Sequence, residues 1–96
     1  MEITALLARV RNYLDITWED AALDEKLTDM LQRGMNYLNR LAGEILPFTQ
    51  DSPEFGLLMN YCLYERANQL DMFQRNYIHE LNALQLDCQV NRHAGA

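Results

Sequence analysis

Ile3, Leu6, Leu7, Val10 and Leu14 recur at intervals of three and four, the spacing of one face of an α-helix. The spacing predicts a first amphipathic helix over residues 3–14, with Tyr13 widening its apolar side. Asp15 to Trp18 reads as a turn, and Thr17 followed by Glu19 and Asp20 reads as a helix start, because a side-chain oxygen can accept an orphan backbone N–H and carboxylates favour the positive helix end. Leu23, Leu27, Met30, Leu31, Leu38 and Leu41 then hold one stripe from about Asp20 to Ala42, roughly 34 Å at 1.5 Å per residue. Gly34 falls on that stripe, where glycine costs about 1 kcal/mol against alanine but lets another backbone approach. Gly43 predicts a left-handed cap, and residues 44–50 lose the helical period and form an ordered loop carrying exposed apolar groups, Pro47 and Phe48 among them.

Asp51 or Ser52 as N-cap, Pro53 at the first helical position and Glu54 in the first turn announce a third helix. Its inward stripe is Phe55, Leu58, Met59, Cys62, Leu63, Ala67 and Leu70. The stripe changes phase around Asp71 to Asn76, two candidate caps, and Tyr77, Ile78, Leu81 and Leu84 open a fourth helix ending near Leu86. Cys88 to Ala96 is polar and shows no periodic face. No strand pattern occurs, so the expected fold is all-α: a small bundle of about four helices over residues 1–87, followed by a flexible C-terminal tail, 88–96.

Composition narrows the function. The chain has 96 residues, 49% of them hydrophobic, with 8 Lys+Arg against 14 Asp+Glu and a formal charge of −6. A domain of this size buries only about two-thirds of its unfolded surface, which favours support from partners. Seven arginines and the single Lys26 make no basic stripe, so sequence-specific DNA binding is not expected. Cys62 and Cys88 lack paired spacing and read as reduced thiols, and every apolar run is interrupted by polar residues, so neither a signal peptide nor a membrane span is expected.

Chemistry-bearing residues are sparse. His79 and His93 lie 14 apart, and with Cys88 they match no zinc spacing; a surface histidine and a solvated tail account for them. Asp20, Asp24 and Glu25 could form a cation cluster, yet acids in a helix's first turns are ordinary dipole matching. Asp71 and Arg75 have the four-residue spacing of a local ion pair. Phosphate loops, nucleophile elbows and Cys-x-x-Cys motifs are absent, so no catalytic residue, metal or cofactor is assigned. The aromatics are more informative. Tyr61, Tyr64, Phe73 and Tyr77 outnumber what a small helical core hides, and with Arg66 and Asp71 they form the candidate subunit interface.

The segment Arg66-Ala67-Asn68-x-Leu70-Asp71-x-Phe73-x-x-Asn76-Tyr77-x-x-Glu80-Leu81-x-x-Leu84-x-Leu86 resembles the head–tail connector, or adaptor, proteins of long-tailed phages and prophages, formerly labelled DNA-packaging proteins. The resemblance extends to the opening helix, to Asp20-x-x-Leu23-x-x-x-Leu27-x-x-Met30-Leu31 and to Asp51-Ser52-Pro53, covering about residues 2–87. It implies a non-enzymatic structural virion protein, made in the bacterial host cytoplasm and placed at the neck. There it would assemble as a dodecameric ring below the portal, from a chain that can be monomeric in solution. Such a ring extends the DNA channel and joins the capsid to a stopper or tail-completion protein, and its acidic charge lets genomic DNA pass without sequence-specific binding. On this resemblance the tail docks on the portal through Asp87, Cys88, Gln89, Val90, Asn91 and Arg92, and the loop Pro47, Phe48, Thr49, Gln50 and Asp51 faces the stopper or tail. A small cytoplasmic regulatory or antitoxin-like helical dimer is the alternative.

Overall fold

Five helices form around one core in the computed structural model, which describes residues 2–94 and the side chains of residues 2–91. They are α1 (Ile3–Tyr13), α2 (Ala21–Ala42), α3 (Pro53–Arg66), α4 (Leu70–Asn76) and α5 (Ile78–Ala94). No strand occurs among the described residues.

Most residues of the predicted stripes turn inward, but Leu63 and Ile78, assigned to stripes by their spacing, are 41% and 45% exposed. Leu6 and Val10 of α1 and Leu27, Leu31 and Leu38 of α2 are all fully buried in one core. Helix α2 packs on α1, α3 and α5, and α3 also contacts α1, α4 and α5, so these two helices share the centre. Asp20 caps α2: its Oδ1 accepts from the Ala22 and Leu23 N–H groups at 3.0 and 3.2 Å. The start signal read at Thr17 is thus delivered three residues later. Ser52 caps α3 with Pro53 at the first turn, as the sequence predicts.

Three helices end in the same way. Asp15, Gly43 and Asn68 all have left-handed φ values of 58°, 75° and 59°. Behind each, a backbone N–H reaches five residues back: Ile16 to Arg11, Glu44 to Asn39 and Gln69 to Tyr64, at 2.9, 3.2 and 2.8 Å. This is the geometry that satisfies the last carbonyls of a helix, and Asp and Asn adopt it more readily than other side chains. The sequence predicts it only at Gly43.

The Asn68 cap ends α3 at Arg66, so Ala67 and Leu70 leave the inward stripe assigned to it. Residues 70–76 become a separate short helix, which raises the expected count of about four to five. Asp71 lies in the first turn of α4 and Asn76 at its end; neither is an N-cap, since α4 starts behind Gln69. Tyr77 alone joins α4 to α5, accepting from Leu81 N–H and donating to the Phe73 carbonyl.

The expected tail is also corrected. Helix α5 continues through Ala94, and Cys88 is only 7% exposed, one turn beyond buried Leu84. Leu81, Leu84 and Cys88 fall on one helix face, so the inward stripe extends past Leu86 through a cysteine that composition alone groups with polar neighbours. Residues 95–96 lie outside the described residues.

Candidate functional site

The long connection between α1 and α2 is fixed by one guanidinium. Arg11 Nη1 donates to Asp24 Oδ1 and Oδ2 at 3.0 and 3.1 Å, and its Nη2 donates to the Trp18 carbonyl. Of the acidic residues considered as a cation cluster, Asp24 is therefore ion-paired and Asp20 is a cap.

Loop residues 43–52 pack more tightly than the sequence predicts. Phe48, assigned to an exposed apolar group, is 2% exposed and adopts a left-handed φ of 51°, and Leu46 is buried beside it. Their burial is compatible with the loop because Leu46 N–H donates to Asn39 Oδ1 and Ser52 Oγ to the Thr49 carbonyl. Pro47, Thr49, Gln50 and Asp51 remain exposed, and Arg9 donates to Gln50 Oε1 at 3.0 Å. Pro47 is exposed as expected, and the large apolar side chain that this loop exposes is Ile45, at 88%.

The aromatic residues assigned to a subunit interface pack instead on one another. Phe73, 1% exposed, stands with its ring centroid 5.3 Å from Tyr77, 5.7 Å from Tyr61 and 5.9 Å from Tyr64. Tyr37 of α2, absent from the sequence-based set, closes the cluster 5.9 Å from Tyr61. Offset and edge-on arrangements at these separations are the favourable ones. Tyr61 and Phe73 therefore belong to the core of the chain, whereas Tyr64 and Tyr77 are half-buried and Arg66 and Asp71 exposed. Asn76 Nδ2 donates to the Tyr64 hydroxyl at 3.0 Å.

Beside this cluster, Arg33 of α2 binds Glu65 of α3 through Nε at 2.8 Å and through Nη2. The hydrogen bond to Glu65 raises the Arg33 pKa, and the second carboxylate oxygen of Glu65 is buried without a hydrogen-bond partner. Burial, and next the Glu65 carboxylate, push the Tyr61 phenol up; burial pushes the Cys62 thiol up to about 12. Cys62 is consequently a neutral thiol at physiological pH, not a nucleophilic thiolate. The ion pairs among the described residues are those of Arg11 and Arg33, so the spacing of Asp71 and Arg75 does not produce one.

Within the residues assigned to portal docking, Asp87, Gln89, Val90 and Asn91 are exposed on α5 and Cys88 is buried; the Arg92 side chain lies outside the described residues. The same helix exposes Leu86 at 59% and Val90 at 55%. Leu86 stands off the inward spacing that runs through Leu84 and Cys88, which is the signal by which the sequence could have marked it as outward.

His79 is exposed, and the His93 side chain lies outside the described residues. Among the described residues no group of three or more His, Cys, Asp or Glu side chains could hold a metal ion, and no helix is long and apolar enough to cross a membrane. Comparison of the chain with family models, curated proteins and solved structures gives no match.

Proposed function

We propose that this chain is a structural, non-enzymatic head–tail connector that forms a ring below a phage portal and extends the DNA channel. The observation that carries the reading is the exposure of large apolar side chains: Ile45 in the loop and Leu86 and Val90 on α5. Leu86 and Val90 stand four residues apart on one side of α5, and neighbouring exposed apolar groups of this kind suit contact with another protein surface. The order of helix-packing positions between Arg66 and Leu86, which resembles that of the connector family, supplies the identity of those surfaces. In this reading the last turns of α5, with Gln89, Val90 and Asn91, face the portal, and Pro47, Thr49, Gln50 and Asp51 with Ile45 face the stopper. The α5 extension makes the portal-facing element a helix, so docking requires no coil-to-helix ordering there. The net negative charge supports passage of DNA without adhesion.

Native mass spectrometry of the chain mixed with the portal ring encoded in the same genome tests the proposal. About one copy bound per portal subunit is the expected result. No binding, with a stable dimer of the free chain, would replace it with a regulatory or antitoxin-like role.

A further inference from the structure

Helix α5 packs on α2, α3 and α4, and the residues it buries are Leu81, Leu84 and Cys88. At about 100° per residue, the opposite side of the helix carries His79, Ala83, Leu86 and Val90, spaced by four, three and four. All four are exposed, Leu86 and Val90 by more than half. A groove of about 350 Å³ between α3 and α5 opens beside this stripe; its α5 side is lined by Glu80, Ala83, Leu84 and Asp87 and includes neither Leu86 nor Val90. The stripe is therefore a separate surface, turned directly away from the body of the protein.

Spacing of this kind on the outside of a helix is the seam of a two-stranded coiled coil, in which each position meets its own counterpart when the strands run parallel. Val90 then falls in the layers where parallel pairs favour β-branched residues, and Leu86 in the layers where they favour leucine. Ala83 is small enough for the two backbones to approach. The flanks agree with this direction. Glu80 and Asp87 lie on one edge of the seam and Asn82 and Gln89 on the other, so a parallel pair sets Asn82 of one copy beside Asp87 of the second, an amide that can donate to a carboxylate. An antiparallel pair would instead line up the carboxylates of both copies along one edge, where they repel. Because the seam faces away from Leu81, Leu84 and Cys88, the two bodies lie on opposite sides of the paired helices and do not collide.

We propose that the outward face of α5, formed by His79, Ala83, Leu86 and Val90, is a seam for a second copy of this chain, the two α5 helices lying parallel and in register. Leu86 and Val90 supply the apolar layers, and Asn82 with Asp87 sets the direction. Two large apolar layers make a small interface, so the pair is reversible and concentration-dependent. The inference does not rest on the connector reading. The seam includes Val90, given above to the portal, so a second copy and a portal exclude one another there, and either contact can exist without the other.

Sedimentation equilibrium of the full chain from about 5 to 500 µM tests it, a range that spans the weak affinity of a small interface. The mass should rise from monomer to dimer and no further. Leu86→Glu, at an outward position, should weaken association about tenfold or more while leaving the helical circular dichroism intact. His79→Leu, which adds an apolar layer to the seam, should strengthen it about tenfold. Asn82→Lys should tighten the pair and Asn82→Glu loosen it, about threefold each way, because that position meets Asp87 of the second copy. His79→Cys in a glutathione redox buffer should give a disulfide-linked dimer, since the parallel register brings the two positions together, whereas the same treatment of Ile45→Cys should not. A monomer throughout the range, association indifferent to Leu86→Glu and His79→Leu, equal effects of Asn82→Lys and Asn82→Glu, or equal cross-linking of His79→Cys and Ile45→Cys would overturn the proposal. Portal binding by a chain that stays monomeric would overturn the seam and leave the connector reading; a dimer that binds no portal would do the reverse.

Discussion

Gly34 of α2 lies so close to Leu58 of α3 that a Cβ on the glycine would stand 2.6 Å from the Leu58 Cδ1 atom. The Tyr61 ring follows at 2.8 Å, so it is side chains of α3, not its backbone, that occupy the room left by the missing Cβ. A leucine end can rotate, but a ring held at 5.7 Å from Phe73 and 5.9 Å from Tyr37 has little freedom. Gly34→Ala gains about 1 kcal/mol in helix propensity and incurs an overpacking cost of about 1–3 kcal/mol. The expected net is a loss of about 1 kcal/mol, or roughly 4–8 °C in the melting temperature of a domain this small. A thermal melt followed by circular dichroism checks it, and a raised melting temperature would reject the close approach as a constraint.

Phe48 and Ile45 should behave in opposite ways although both are apolar residues in one loop. Phe48→Ala empties a fully buried site and should cost about 3–5 kcal/mol in urea unfolding. Ile45→Ser, at an 88% exposed position, should stay within about 0.5 kcal/mol of wild type. Equal losses would mean that the loop does not hold Phe48 inward.

Alkaline pH should destabilise the protein through Cys62. Its thiol is pushed up to about 12 in the fold by burial, so the folded state holds the proton more tightly than the unfolded chain does. That contribution is present in full below the ordinary thiol pKa and is lost as pH rises from there toward about 12. The Tyr61 and Tyr77 phenols, both raised chiefly by burial, add to the loss in the same direction. Urea midpoints measured from neutral pH to about pH 11 should fall, and fall less steeply in Cys62→Ala; identical slopes would remove Cys62 from the account. For the same reason the native thiol should react with iodoacetamide far more slowly than in the urea-unfolded chain.

Deleting residues 88–96 should lower both the far-ultraviolet helical signal and the melting temperature, because the deletion removes α5 backbone and exposes the site of Cys88. An unchanged melt would restore the reading of a tail independent of the fold.

The repeat of apolar residues at three and four fixed most of α1, α2 and the start of α3 from the sequence alone, since that periodicity is what a one-sided helix requires. Ser52 with Pro53 and the Gly43 cap were equally legible, being local chemistry. The sequence also excluded a basic DNA-binding stripe, because charge is countable without coordinates. The direction of individual aromatic and loop side chains was not legible. Phe73, Tyr61 and Tyr37 come from three helices, and their mutual stacking depends on how α2, α3 and α4 pack. Phe48 enters the core only because distant residues leave a space for it, and Cys88 is buried because α5 lies against its neighbours for longer than the polar composition of its last turns suggests. The groove between α3 and α5 belongs to neither helix alone. Its apolar walls come from segments separated along the chain, Pro53 to Leu57 and Tyr77 to Leu84, and only their tertiary approach, with Gly56 leaving the space unfilled, creates it.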